Sequence, residues 1–243
     1  MQAATSYRLQ GQQLWLSPER CIFWEEERSL ILSDLHFGKT GHFRKSGIAV
    51  PQTVYQEDLQ RLLTLIHYFQ PQQLLVVGDL FHSRENKELE LFRRWRDDFA
   101  YLHVRLIRGN HDILEDSWYE QAGIEVIPEK LRIRDFEFVH DITAGSTPPP
   151  DAASKSYIPK SQISNPPAYS FSGHIHPAIR INGMGRQSLR FPCFHFGEAY
   201  AILPAFGRFT GMASVRPEPR DQVFAILPPS PRKGELASIV QIQ

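Results

Sequence analysis

The chain has 243 residues, two cysteines and equal numbers of basic and acidic side chains, 27 each, for a formal net charge of zero. That length carries one large α/β core. The charge balance gives no support to a generally basic nucleic-acid-binding surface, although it leaves room for a local basic groove. Cys21 and Cys193 are too few and too far apart for a disulfide framework. No charged segment followed by an apolar run stands at Met1, and no apolar run approaches the roughly 18 residues of a membrane span. The expectation is therefore a soluble, cytoplasmic protein with no membrane partner, folded as one domain over 1–243.

Tyr7–Leu9, Leu14–Leu16 and Cys21–Trp24 read as short strands, with Gly11-Gln12 turning the first into the second. Ser29–Leu32 reads as a buried strand that delivers Ser33-Asp34. Over 52–69, Val54, Leu59, Leu62, Leu63, Ile66 and Phe69 recur at helical spacing behind Pro51. Leu74–Val77 is a second buried strand, ending at Gly78-Asp79. A charged helix over 86–99, a strand at Val104–Ile107, a short helix near Glu115–Gln121 and a strand at Ile124–Ile127 follow.

The pattern then turns to strands. Leu131–Ile133 and Phe136–Val139 alternate as a hairpin ending at His140. Residues 143–170 are rich in Pro, Ser and Ala and read as a long flexible surface loop. Tyr169–Ser172 delivers Gly173-His174-Ile175-His176. Ala178–Ile181, Leu189–Phe196, Tyr200–Leu203, Val223–Leu227 and, after a linker at 229–235, Ile239–Ile242 complete the strands. Helices between early strands and strands alone later predict two stacked sheets with helices outside.

Five polar motifs stand in order after strand-like runs: Asp34-Leu35-His36, Gly78-Asp79, Gly109-Asn110-His111-Asp112, His140 and Gly173-His174-Ile175-His176. In open α/β sheets ligands sit at the carboxyl ends of strands, where the first three fall. Residues two apart at a strand end lean to one side, so Asp34 with His36, and His174 with His176, can each reach one ion. Asp79 offers two oxygens for bridging, and Asn110 a neutral one. Each motif alone reads as a turn or an ordinary core residue. Together they match the donor mix of two divalent transition ions bridged by a carboxylate.

The ordered set DxH, GD, GNHD, H and GHxH resembles the calcineurin-like metallophosphoesterase superfamily. The resemblance implies a four-layer α/β/β/α sandwich of two mixed sheets flanked by helices. It implies one ion held by Asp34, His36, Asp79 and His176, and a second by Asp79, Asn110, His140 and His174. His111 is then left free of metal to protonate the leaving oxygen or stabilise developing charge, with Asp112 orienting it. Two divalent ions are expected, Mn²⁺ first, with Fe or Zn as alternatives. The segments 33–39, 43–51, 78–83, 191–194 and 203–207 are similar to the ligase-associated PdeM-like branch. That likeness implies a DNA-repair endonuclease or phosphodiesterase acting with a DNA ligase, a helicase and a nuclease.

Lys39 and Arg44 are candidates to clamp a phosphate or a nucleic-acid backbone, whereas Lys45 reads as solvated. Asp141 or Glu137 is a candidate to fix a ligand tautomer. His82 reads as a supporting residue, and His67, His103 and His195, with Cys193, as ordinary helix and strand positions. The four tryptophans, Trp15, Trp24, Trp95 and Trp118, read as core or interface. Arg93, Arg94 and Arg96, among Glu88, Glu90 and Asp97, read as a solvated helix face. The alternatives to a phosphodiesterase are a nucleotide or small-phosphomonoester phosphatase, and an inactive scaffold on the same fold. A scaffold is disfavoured because every expected ligand and His111 are present.

Overall fold

The computed structural model describes residues 4–39, 53–82, 87–144, 168–183, 187–230 and 236–243. Arg44, Lys45 and most of the 143–170 stretch lie outside the described residues.

The first sheet has seven strands in chain order: β1 (Thr5–Leu9), β2 (Gln12–Ser17), β3 (Cys21–Trp24), β4 (Ser29–Leu32), β5 (Gln73–Val77), β6 (His103–Ile107) and β7 (Ile124–Ile127). β1 to β4 form an antiparallel meander, and β4 to β7 run parallel. Gln10 and Gly11 both take positive φ, the mark of a tight primed turn in the first hairpin. The parallel strands are joined through α1 (Thr53–Phe69), α2 (Lys87–Asp98) and α3 (Asp116–Gln121), as parallel pairing requires.

The second sheet contains β8 (Lys130–Ile133), β9 (Phe136–Val139), β10 (Tyr169–Ser172), β11 (Pro177–Asn182), β12 (Ser188–Phe196), β13 (Tyr200–Ile202), β14 (Ala213–Ser214), β15 (Gln222–Leu227) and β16 (Ser238–Gln241). Its order is β14-β11-β12-β13-β10-β9-β8, with β15 also on β12 and β16 on β15. β10 lies parallel to both β9 and β13, while β12 is antiparallel to its neighbours. Both sheets are thus mixed, as expected.

Alternation along the central strands explains the layering. Leu30, Leu32, Leu74 and Val76 face one core with Leu62 and Ile66 of α1 and Phe92 of α2. Ile31, Leu75 and Val77, one residue out of phase, face the other sheet. Such strands are buried on both faces, which is why they read as unbroken apolar runs. The inter-sheet layer is aromatic: Phe171 lies 5.0 Å from Phe136 and 5.3 Å from Phe138, and Trp24 4.9 Å from Phe136, between ring centroids. A smaller cluster of Ile179, Cys193, Val215, Val223 and Ala225 packs apart from both. The described helices supply residues to the first core and none to this one.

Arg96 corrects the reading of α2 as wholly solvated on its charged side. Its guanidinium is buried and bonds the carbonyls of Phe99 and, at 2.8 Å, Leu102, satisfying acceptors beyond the helix end. Arg94 stays on the exposed face, paired with Glu90 at 2.7 Å.

Candidate metal centre

The candidate ligands lie on loops after β4, β5, β6, β9 and β10, gathered where the two sheets meet. A parallel bridge between Ser33 and Ala205 ties the loops from the two sheets together. Convergence is achieved by backbone conformation. Asp34, His36, Asp79, His174 and His176 all have φ between 51° and 64°, a region costing about 1–2 kcal/mol for a non-glycine residue. Strand alternation, the basis on which each pair was placed above, therefore stops one residue short. Left-handed turns just past the strand ends aim these side chains. They are held by neighbouring hydrogen bonds: Asp34 N to Gly78 O at 3.0 Å, His36 N to Asp79 O at 2.9 Å and Gly207 N to Asp34 O at 3.1 Å. Left-handed conformations at non-glycine residues persist where the surroundings over-determine them, as at ligand sites.

Two groups result. Asp34, His36 and His176 bring ligand atoms within 4.8 Å of one another, and so do Asp79, His140 and His174. In the first, His176 Nε2 is 3.2 Å and His36 Nε2 4.0 Å from Asp34 Oδ1. In the second, His140 Nε2 is 3.4 Å from Asp79 Oδ2, and Asn110 Oδ1 is 3.1 Å from both His140 Nε2 and His174 Nδ1. The groups meet at Asp79: its Oδ2 is also 3.8 Å from His36 Nε2. Its Oδ1 accepts the His111 N–H at 2.8 Å. The sequence-predicted ligands, all seven, are therefore brought together.

The donors fit cations. Both ring nitrogens of His36 are buried without a hydrogen-bond partner. Its 3.8–4.0 Å separations from carboxylate oxygens are too long for hydrogen bonds, but ordinary for ligands on one ion with bonds of about 2.0–2.2 Å. Burial lowers this imidazole to about 3 against the pull of Asp34 and Asp79, so one of its ring nitrogens offers a lone pair. Burial opposes charge on His140 too, yet the Asp79 hydrogen bond and the charges of Asp34 and Asp79 outweigh it, raising His140 to about 9. Burial would raise Asp34 and Asp79, but neighbouring histidines, and for Asp79 the His111 N–H, hold both below the usual range. The centre favours positive charge between its carboxylates, which is what a divalent cation supplies.

Outer contacts fix the rings. His140 Nδ1 lies 3.1 Å from Val77 O and His176 Nδ1 3.1 Å from Gly211 O, leaving each Nε2 facing a carboxylate. Asp141 Oδ2 sits 3.8 Å from His174 Nε2, whereas Glu137 pairs with Lys130 at 3.2 Å. Of the two candidates for a tautomer-fixing carboxylate, Asp141 is the one beside the centre, at a separation longer than a hydrogen bond.

The His111 ring lies at the edge of the cluster, 5.3 Å from that of His36 and 4.2 Å from that of His82. Asp112 accepts backbone N–H bonds from Asp79 at 2.8 Å, Gly109 at 2.9 Å and Phe81 at 3.1 Å. It thus braces the two loops carrying Asp79 and Asn110, while burial pushes its carboxyl up to about 7. Half-buried Lys39 is lowered by burial, with the charges of Asp79 and Asp34 acting to raise it, which places its ammonium in the field of both. Sequence reasoning missed the brace from residues 205–207, whose apolar run carries no signal for it.

A metal-dependent phosphoesterase is what this fold and donor set define. The calcineurin-like phosphoesterase family model matches residues 28–178, more than half of the chain, and the protein belongs to that family. No curated protein matches the sequence. Among solved structures the chain is similar to the Pseudomonas putida nuclease MPE, at 28% identity over 91% of this chain and 96% of that one, with a TM-score of 0.70. It is also similar to the phosphoesterase Yfce of E. coli, at 12% identity over 88% and 97% with a TM-score of 0.40. Among the described residues no helix is long and apolar enough to cross a membrane.

Proposed function

We propose that the protein is a dinuclear phosphodiesterase that cleaves a polynucleotide strand, with Asp79 bridging the ions. The observation that carries this is the shared Asp79 Oδ2, within 3.8 Å of His36 Nε2 and 3.4 Å of His140 Nε2. Asp34, His36, Asp79 and His176 would hold one ion, and Asp79, Asn110, His140 and His174 the other. When bound, divalent ions supply Lewis acidity toward phosphoryl oxygens and a nucleophilic water at neutral pH. His111, its backbone N–H fixed on Asp79, gives a proton from its imidazole to the leaving oxygen. Asp112 carries His111 by holding the Gly109–Asp112 turn. Lys39, with Arg44, steadies phosphate charge.

Among the described residues, Asn110 and His174 are exposed at one side of the centre, which suits a long ester better than an enclosed monoester. The likeness to a protein described as a nuclease supports the same choice. The similarity of 33–39, 43–51, 78–83, 191–194 and 203–207 to the ligase-associated branch supports a place in cytoplasmic DNA repair, beside a ligase, a helicase and a nuclease. Mn²⁺ suits the mixed carboxylate, amide and imidazole donors.

The test pairs elemental analysis with hydrolysis of bis(p-nitrophenyl) phosphate, single-stranded DNA, plasmid and nucleotide monoesters. Two ions per chain, diester turnover lost on chelation and restored by Mn²⁺, and an Asp79→Asn variant without turnover are expected. Turnover indifferent to chelator, or full activity in Asp79→Asn, contradicts the bridging role. A preference for monoesters overturns the polynucleotide reading.

A further inference from the structure

Beside the loop that carries Asp34 lies a second polar site. A cavity of about 390 Å³ opens between the β2–β3 turn, α1 and the second sheet, and Arg20, Arg61, Arg190 and Arg208 all line it. Glu19 is the acidic residue on its wall, and its Oε2 is shared, 3.5 Å from Arg61 Nε and 3.6 Å from Arg208 Nη2. Asp58 Oδ1 meets Arg61 Nη1 at 3.1 Å. The other arginines are bonded to carbonyls: Arg20 Nη1 to Ala205 O and Gly207 O, each at 3.2 Å, and Arg190 Nη1 to Met212 O at 3.5 Å. Among the described residues, four guanidinium groups thus face two carboxylates, leaving positive charge in excess. Burial first, and then the charges of Arg61 and Arg208, lower Arg20 to about 10 against the opposing charges of Asp58 and Glu19.

The wall is otherwise apolar, with Phe191, Ile226 and Leu227, and Arg61 is buried in it, so attraction for an anion is less screened at that guanidinium than at the open surface. Arg61 is already fixed: it is buried, lies 4.0 Å above the Phe206 ring and bonds Phe206 O. Little side-chain freedom remains to be lost when a ligand arrives. Guanidinium forks match phosphate oxygens in geometry and charge.

We propose that this cavity is a phosphate-binding site, distinct from the metal centre, that receives a phosphate group of a nucleotide chain or of a free nucleotide. The first source rests on the polynucleotide reading. Residues 208–212 separate the two sites, anchored to candidate ligands at both ends by Gly207 N to Asp34 O at 3.1 Å and Ala213 N to His176 O at 3.0 Å. A strand with one phosphate at the metals crosses this short loop to place another among the arginines.

The test is an Arg190→Ala/Arg208→Ala double variant, which leaves Arg20 and Arg61 to hold residues 205–207. For a single-stranded 20-mer, its KM is expected to rise about ten-fold and the slope of log KM against log salt to fall by about one. The rate on bis(p-nitrophenyl) phosphate, which carries one phosphate, is expected to stay. Isothermal titration at equal metal loading, with inorganic phosphate and a 5′-mononucleotide, separates the sources. Affinity lost in the variant with the 20-mer KM unchanged assigns the cavity to the free ligand. Glu19→Gln is expected to tighten whichever one binds. Unchanged KM and unchanged titrations in the variants overturn the proposal. If the wild-type protein cleaves neither ester, the phosphodiesterase reading fails and the titrations still decide the cavity.

Discussion

Gly78→Ala tests whether the second group of candidate ligands depends on one missing methyl group. Gly78 has φ of +80°, and a Cβ there would lie 1.9 Å from His140 Nδ1 and 2.3 Å from its Cγ. Two costs add. The left-handed conformation costs about 1–2 kcal/mol for alanine. Displacing the imidazole also breaks its contact with Val77 O, worth about 1 kcal/mol. A total near 2–3 kcal/mol corresponds to a fall in Tm of about 5–10 °C for a chain of this size. Gly11→Ala is the control: its φ is +78°, but an added Cβ meets nothing within 4 Å. It shares the backbone strain and lacks the collision. Elemental analysis and calorimetry of both variants decide the matter. Gly78→Ala is expected to lose the ion proposed for the group containing His140, and the ion proposed for the Asp34 group as well if the backbone shifts and stretches the Asp34 N to Gly78 O bond. Gly11→Ala is expected to keep full metal content. Gly78→Ala protein with wild-type metal content and turnover would refute the reasoning.

His111→Ala is expected to retain metal while slowing hydrolysis of DNA by about 10²–10⁴-fold. The loss should be much smaller with a p-nitrophenyl leaving group, which departs without a proton; equal losses on both substrates would argue against proton donation. Asp112→Ala strands three backbone N–H donors, at about 1–3 kcal/mol for each that stays dry. Urea denaturation should show a loss of about 3–5 kcal/mol, with partial rescue by Asn; a loss under 1 kcal/mol would mean that the loops do not depend on this brace.

Much of the architecture was legible because its signals are local. Leu74–Val77 and Val104–Ile107 are short apolar runs between polar breaks, the pattern of strands buried on both faces, and both are central parallel strands. The candidate ligands were legible by residue type, since few other roles bring Asp, Asn and His to successive strand ends. Their convergence was not, because it depends on φ at Asp34, His36, Asp79, His174 and His176, and non-glycine residues give no advance notice of a left-handed turn. Arg96 escaped for a related reason: its composition says solvent, while its partners, the carbonyls of Phe99 and Leu102, appear only when the chain turns back. β14 is two residues long, too short for periodicity to register.

Each group of candidate ligands draws on both sheets. Asp34 and His36 come from the first sheet and His176 from the second; Asp79 and Asn110 come from the first, His140 and His174 from the second. A cation bound there would act as a rivet, gripping only when the faces have closed and adding its binding energy to their closure. Synthesis from the N-terminus leaves each set unfinished until residues 174–176 emerge. Metal capture would then serve as a checkpoint on assembly, admitting hydrolytic power only to chains in which the loops of both sheets have come together.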